Sequence, residues 1–548
     1  MGTGYIRGML FHRKDRRRPF GIVFVLLGQV ACLTTQAEIL PSLPEDDPTA
    51  PFLERMDGLG SCRLPDRRPW PGEAVLACLS GLDSTPLPAM DRTQVAQLRK
   101  RLSLRDSFPA GWGTRPAWET RHGDRTDRLL LDLGAEGHFL SSSDSSGDVS
   151  GILGGRLRPK VEVLLGDGVA LWSRPSQLTE ISDRARWVKE MDPGTGVYQT
   201  ALFAKPGEAG KARTVDGVEG GLEAELVGVR VRSGMLRTSW GPLPEPMMFS
   251  GETAPFPLTE ASTRIGPIEA VVLAGRLTGD SFREKRYVYG HRIRWVGTNW
   301  SAAWSEAAIS VGRDLEPLYM VPVFPIIFTE HQLGDPDNRQ MDFDLAWRPR
   351  HDLELSSELF LDDLQNLLGF FSNGWGNKWA LGLGLRARDF TGPRTLDRFQ
   401  VARIEPWTGG SSSSVLPGQE RNLPVHFGKP LGSDLGPNSL SFLWDRRQDL
   451  SERWSWLATA RASWKGTDPG SSIDDLNWAD SAGTWIVPHP TKTWLGEGYY
   501  TRQILSTGAE ARFAGQWRSR TEIGIESSDQ YGKRDFWPVF SWKVAFRE

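Results

Sequence analysis

The chain has 548 residues, of which 39% are hydrophobic and 24% charged, with 23 Trp, 24 Phe, 59 Gly and a formal net charge of −3. So many charges exclude a polytopic helical membrane protein, and the near-neutral balance argues against nucleic acid or an anionic surface as a general partner. The length suits either several ordinary domains or one large barrel.

At the start, His12, Arg13, Lys14, Arg16, Arg17 and Arg18 precede an apolar run from Phe20 to Leu33, and Thr35-Gln36-Ala37 ends in a small residue. This reads as a signal peptide over 1–37, because the run is shorter than the roughly 20 residues of a spanning helix. Cys62 and Cys78 are the two cysteines beyond it, and in an oxidising compartment they are candidates for one disulfide. Residues 38–125 are rich in Pro, Arg and Asp and carry the helical patterns. One helix opens at Pro71-Gly72-Glu73 and runs through Val75, Leu76, Cys78 and Leu79. A second is expected to be capped by Asp91, with Val95, Leu98 and Leu102 sharing a face. A small periplasmic helical region is the expectation for this part.

From about residue 127 the period changes to two. Met341, Phe343, Leu345 and Trp347 alternate with Asp342, Asp344, Ala346 and Arg348; Trp379, Leu381, Leu383 and Leu385 oppose Lys378, Gly382, Gly384, Arg386 and Arg388. Apolar-out, polar-in strands with Trp near their ends are what an antiparallel transmembrane β-barrel requires. A soluble sandwich would point the apolar faces inward; the many arginine-bearing opposite faces and the export signal favour the barrel. Candidate strands include 127–135, 136–143, 158–166, 168–175, 197–204, 221–239, 267–277 and 285–297. Beyond them, long links at 312–340, 362–377, 408–438 and 466–497 alternate with short ones. The total is about 18 strands over 126–548, and an even number puts both termini in the periplasm.

One stretch resists this pattern. Residues 237–267 carry Pro242, Pro244, Pro246, Pro255, Pro257 and Pro267 among Trp240, Met247, Met248, Phe249 and Phe256. Proline excludes a central strand or a helix interior, while the aromatic residues demand packing against something large. With strand 267–277 running outward, the stretch is expected at the periplasmic rim or folded up into the lumen as a plug.

Enzymatic signals are thin, with no HExxH, CxxC, Walker or GxSxG motif and no His cluster for a metal. The expectation is no catalytic residue, no metal and no cofactor. Asp362-Asp363 would suit a glycosidase pair only if the two carboxyls converged, and adjacent strand positions point apart. Binding signals are better: Trp375, Trp407, Trp478, Trp485 and Trp494 fall in or beside the long loops. Exposed indoles stack on sugar rings, so these five with Asp362 and Asp363 are the candidate polysaccharide contacts. Girdle aromatics or loop packing are the alternative for any one of them. The inward Arg292, Arg294, Arg348, Arg386, Arg388 and Arg461 imply either a pore lining or an interlocked salt-bridge network.

Trp240-Gly241-Pro242, Met248-Phe249-Ser250, Ala254-Pro255-Phe256-Pro257 and Gly266-Pro267 together resemble the signature of the Wzi family of outer-membrane capsule-assembly proteins. The segments YVYGHRIRW (287–295), ELFLDDLQN (358–366) and KPLGSDLGP (429–437) extend the resemblance over most of 127–548. It implies a closed barrel of about 18 strands with a small periplasmic helical part. It further implies a non-enzymatic lectin in the outer-membrane lipid that helps attach capsular or extracellular polysaccharide, with the polysaccharide-export machinery as a further partner. The same barrel with an open lumen would be a porin for sugars or other small solutes, and an outer-membrane hydrolase is the third reading.

Overall fold

The computed structural model describes residues 42–43, 47, 49–102, 118–122, 125–143, 149–166, 168–182, 212–278, 285–334, 337–364, 372–410, 422–473, 475, 479–481, 484–487, 489–496, 498–513, 517–530 and 533–546. Eighteen antiparallel strands close into a transmembrane β-barrel. They are β1 Arg125–Ser143, β2 Val149–Leu165, β3 Val169–Ser182, β4 Ala212–Leu226, β5 Val229–Leu236, β6 Phe256–Ile265, β7 Ile268–Leu277, β8 Arg286–Val296 and β9 Trp300–Val311. The second half comprises β10 Asn338–Arg350, β11 Leu353–Leu364, β12 Asn377–Arg388, β13 Thr395–Ile404, β14 Ser439–Asp449, β15 Trp454–Gly466, β16 Tyr499–Phe513, β17 Trp517–Gln530 and β18 Lys533–Phe546. Closure pairs Val539–Phe546 of β18 with Ala135–Ser142 of β1, and the short strand Trp118–His122 pairs with Arg125–Leu129 beyond it.

Alternation explains the wall. On β10, Phe343, Leu345 and Trp347 are exposed while Asp342, Asp344 and Ala346 are buried. Only a lipid-facing exterior makes that arrangement favourable, since burial of a carboxylate needs partners and the lumen supplies them. Trp295, Trp300, Trp347, Trp454 and Trp517 stay exposed beside the rim that carries the short turns, forming an interfacial girdle.

Three strand assignments depart from the sequence reading. Residues 127–143 form one strand and not two. The stretch 221–239 is broken by the turn Val227-Gly228, both at positive φ (53° and 76°), and yields β4 and β5. Phe256–Ile265 is a strand despite Pro257, which lies at its second position where a missing donor costs least. The strand expected near 197–204 lies outside the described residues, as does the 1–37 segment. The barrel still has 18 strands. The added strand β6 corrects the placement of the Pro-rich stretch, because residues 237–255 leave β5 at the long-loop rim and not at the short-turn rim.

Among the described residues, the N-terminal part has three helices, α1 Ala50–Met56, α2 Gly72–Ser80 and α3 Ala89–Leu102, around a core of Leu53, Met56, Trp70, Val75, Leu79, Val95 and Leu98. Cys62 is bonded to Cys78. Helix α3 starts at Ala89, so Asp91 is not its cap. It is buried and receives two hydrogen bonds from Arg55 (2.5 and 3.1 Å), tying α1 to α3.

Candidate functional site

The helical unit is seated in the short-turn end of the barrel, and the inward arginines seat it. Arg292 donates to Asp344 (2.6 Å), to the Ser305 hydroxyl (2.7 Å) and to Asp66 (2.8 Å) of the N-terminal part. Arg294 reaches the same Asp66 at 2.9 Å and Glu269 at 3.0 Å. Arg348 binds Asp57 and Glu354, each at 2.5 Å, and Arg388 donates to the carbonyl of Glu54 at 3.0 Å. Arg67 binds Glu260 at 2.8 Å. Burial opposes ionisation of Asp66, yet the guanidinium groups of Arg292 and Arg294 hold its carboxyl below the usual carboxylate range. Of the two readings of these arginines, an interlocked network describes Arg292, Arg294, Arg348, Arg386 and Arg388.

The stretch 237–255 closes the lumen from the other side. Ser239-Trp240 pairs with Arg67-Arg68 of the helical unit and with Phe249-Ser250, making a three-stranded sheet inside the barrel. Trp240 and Phe249 meet edge to face with centroids 4.9 Å apart, and with Leu243, Met247 and Met248 they form an apolar core against Leu273, Phe360 and Ala402 of the wall. Pro242, Pro244 and Pro246 fall between the two paired dipeptides, where no ladder needs their donors, and the wall takes up the N–H groups of Glu245 and Met247. Glu358 accepts from Met247 N–H at 2.8 Å, while Gln400 both accepts from Glu245 N–H (2.8 Å) and donates to its carbonyl (3.0 Å). Gly241 takes φ 124°, open to glycine alone, against the Glu358 carboxylate. Pro242 is buried beside it. Gly266-Pro267 forms the β6–β7 turn, with Gly266 at φ 59°.

A clasp from the β13–β14 loop holds this plug. Ser250 N–H donates to the Leu431 carbonyl (2.8 Å), and Lys429 Nζ to the Glu252 carbonyl (2.9 Å). Phe256, between Pro255 and Pro257, packs on His426 with centroids 5.5 Å apart. Burial pushes the His426 imidazole down to about 4, so it is neutral and its Nδ1 accepts from Thr278 N–H at 3.1 Å. A Cβ on Gly432 would strike the Met247 carbonyl, which is backbone and cannot rotate away. Gly432→Ala is therefore expected to lose about 1–3 kcal/mol of clasp stability, read as faster amide exchange over 423–433 with the strand amides unchanged.

The candidate sugar contacts do not stand as a free aromatic surface. Trp375 is buried, its backbone N–H donating to the Pro490 carbonyl (3.1 Å) and its ring 5.1 Å from Lys378 Nζ. Trp407 is buried too, held by the Gly470 carbonyl (2.8 Å) and stacked on His489. Trp494 is half-buried with Arg403 Cζ 4.0 Å from its centroid. For Trp375 and Trp407 the expectation of exposed indoles is corrected, because the long loops fold on one another and use these rings as packing. Trp485 lies in a two-stranded ribbon opposite Asp480, and Trp478 lies outside the described residues. Asp362 is not a loop acid. It is buried at the end of β11, accepting from Gln340 (3.2 Å) and from Gly409 N–H (3.1 Å), while Asp363 lies 3.7 Å from Lys378.

Between plug and loops, Met247, Phe360, Pro424, Gly432 and Ile473 line a cavity of about 50 Å³. That admits a few waters but no sugar ring. Elsewhere the lumen wall is wetter: Arg461, Arg502 and Arg520, from β15, β16 and β17, keep nearly half of their side-chain surface exposed. Arg461 meets Glu245 of the plug at 2.6 Å. Among the described residues no group of His, Cys, Asp and Glu is arranged to hold a metal ion. The partners of Glu358, Gln400 and Asp66 were not legible in the sequence, since each lies more than 100 residues away. The one signal was for Glu358, which opens the segment 358–366; Gln400 and Asp66 lie in neither of the motif segments 237–267 and 358–366.

No family model matches the chain, and no curated protein sequence matches it. Among solved structures, Wzi of Escherichia coli, described as an outer-membrane, carbohydrate-binding β-barrel involved in group 1 capsule assembly, aligns over 93% of this chain and 100% of its own, at 11% identity and a TM-score of 0.57. OccK5 of Pseudomonas aeruginosa aligns over 76% of this chain and 97% of its own, at 10% identity and a TM-score of 0.42. OccAB4 of Acinetobacter baumannii gives 77% and 97% at 8% identity, with a TM-score of 0.42. The first likeness is one of fold.

Proposed function

We propose that the chain is a non-enzymatic outer-membrane protein that binds surface polysaccharide and assists its attachment or assembly. The observation that carries this reading is the sheet joining Arg67-Arg68, Ser239-Trp240 and Phe249-Ser250 across the lumen. A barrel locked from both ends is a scaffold, and what it leaves free to engage a polymer is the rim of long loops. The fold shared with a carbohydrate-binding barrel over 93% of the chain supports the same reading. In this orientation the helical unit and the C-terminus face the periplasm, the 1–37 segment directs export, and export machinery meets the short-turn rim. Trp375 and Trp407 act as the mortar of the loop rim, which presents backbone and polar edges to the sugar.

A second reading, a solute channel, is favoured by the exposed Arg461, Arg502 and Arg520 on the lumen wall. Calorimetry with the host cell's own surface polysaccharide separates the two. The purified protein is expected to bind it, and the Arg502→Ala, Arg520→Ala variant to bind equally well. Steady ion currents in planar bilayers that change with those two substitutions, together with no polysaccharide binding, would overturn the lectin reading.

A further inference from the structure

We infer that the loop following β9 folds down over the outside of the barrel and is itself a membrane-contacting layer, seated in lipid acyl chains at the long-loop end. The inference rests on the transmembrane fold and stands apart from the polysaccharide reading.

Register fixes which residues point outward. Tyr289 and His291 of β8 pair with Ala308 and Glu306 of β9, on the same face as the exposed Ile293, Phe343 and Leu345. A bare wall would therefore present a tyrosine, a histidine and a carboxylate to lipid, which is costly at that depth. Instead Tyr289 and Glu306 are 0% exposed and His291 is buried. The 3₁₀ turn Pro317–Met320 and helix α4, Ile326–Gln332, lie on them. Each outward polar group is matched by the loop. Ile326 N–H donates to Glu306 (2.6 Å), Glu316 N–H to the Tyr289 hydroxyl (2.7 Å), and His291 Nε2 lies 2.8 Å from the Tyr319 carbonyl. Tyr319 in turn donates to Asp337 at 2.8 Å, and Arg339 binds Glu330 at 3.2 Å. So many fixed contacts define a wall element, not a free extracellular loop.

The outer surface of this element is mostly apolar, with the exposed His331 and Gln332 at the C-terminal end of α4. Leu318, Val323, Phe324 and Phe328 are exposed, Phe324 at 51% and Phe328 at 65%. Helix α4 buries Ile326, Thr329 and Glu330 toward the wall and turns Phe328 away from it. A patch of this kind marks an interaction surface. Its occupant follows from continuity: Ile293 is two positions along the strand from the covered His291, about 7 Å, so the patch continues the lipid-facing belt without a polar break. The exposed Lys285–Asp314 ion pair (2.6 Å) stands at the strand tops, where the water boundary falls.

The test uses the full-length protein in phosphatidylcholine vesicles, with the environment-sensitive NBD fluorophore on Phe324→Cys or Phe328→Cys. Leu345→Cys in the belt and Val227→Cys in a short turn serve as references. Both loop labels are expected to be quenched by doxyl-labelled lipid to the extent seen at Leu345 and to resist aqueous iodide. Iodide quenching like that at Val227 overturns the inference. So does doxyl insensitivity with quenching that grows with protein-to-lipid ratio, which would indicate a second copy as the occupant. The unmodified protein gives an independent readout: Met320 should stay reduced when vesicles are treated with hydrogen peroxide, and oxidation as fast as that of free methionine counts against the inference.

Discussion

Replacing Arg292 with methionine is expected to lower the unfolding free energy by about 3–5 kcal/mol, the range for removing one partner of a buried ion pair. Arg292 is fully buried and joins Asp344 of the wall, the Ser305 hydroxyl and Asp66 of the helical unit. Its loss takes the guanidinium from Asp344 and leaves Asp66 to Arg294. Urea titration in detergent, followed by the gel shift between folded and unfolded barrel, measures the effect. The double variant Arg292→Met, Asp66→Asn should recover part of it, and full additivity would show that the two do not couple. The sign of the pH dependence follows. The folded Asp66 carboxyl titrates below its unfolded value, so its stabilisation is present above the unfolded pKa and is lost as pH falls through the folded one. Acid below about pH 4 should therefore loosen the seat of the helical unit, and the Asp66→Asn variant should lack that component.

Removal of the Cys62–Cys78 bridge by Cys62→Ala, Cys78→Ala is expected to cost the helical unit about 3 kcal/mol, the scale for a loop of roughly 15 residues. The bridge spans a sequence separation of 16 and fastens α2 to the turn after α1. A unit of about 60 residues has little apolar burial to spare. The barrel has its own ladders, so the outcome should be selective: proteases cut within 50–102 while the folded-barrel band on gels is unchanged. Loss of both together would mean that the strands depend on the helical unit for closure.

The barrel was legible because its wall obeys a local rule. Alternation on segments such as 341–348 and 378–388 needs no knowledge of partners, and the alternation of long and short links located the two rims. Helix α2 was legible for the same reason, Pro71 opening a short apolar run. What failed was non-local. Pro257 argued against a strand in Phe256–Ile265, and that one omission sent the plug to the wrong rim. Asp91 looked like a cap because Arg55, its partner, lies 36 positions away. Trp375 and Trp407 looked like a stacking surface because nothing in the loop sequences says that their backbones pair with Pro490 and Gly470 of another loop. Likewise, no periodicity announces that the loop after β9 turns back down the outside of the wall.

The strand Trp118–His122 carries a consequence for self-association. Strand β18 ends at Phe546 opposite Ala135, so the stretch of β1 from Arg125 to Leu129 would otherwise expose its N–H and C=O groups as an open template. Open edges of this kind recruit a strand from a second molecule. Residues 118–122 occupy that template from within the same chain, so the stretch Arg125–Leu129 is closed to strand exchange with a second copy.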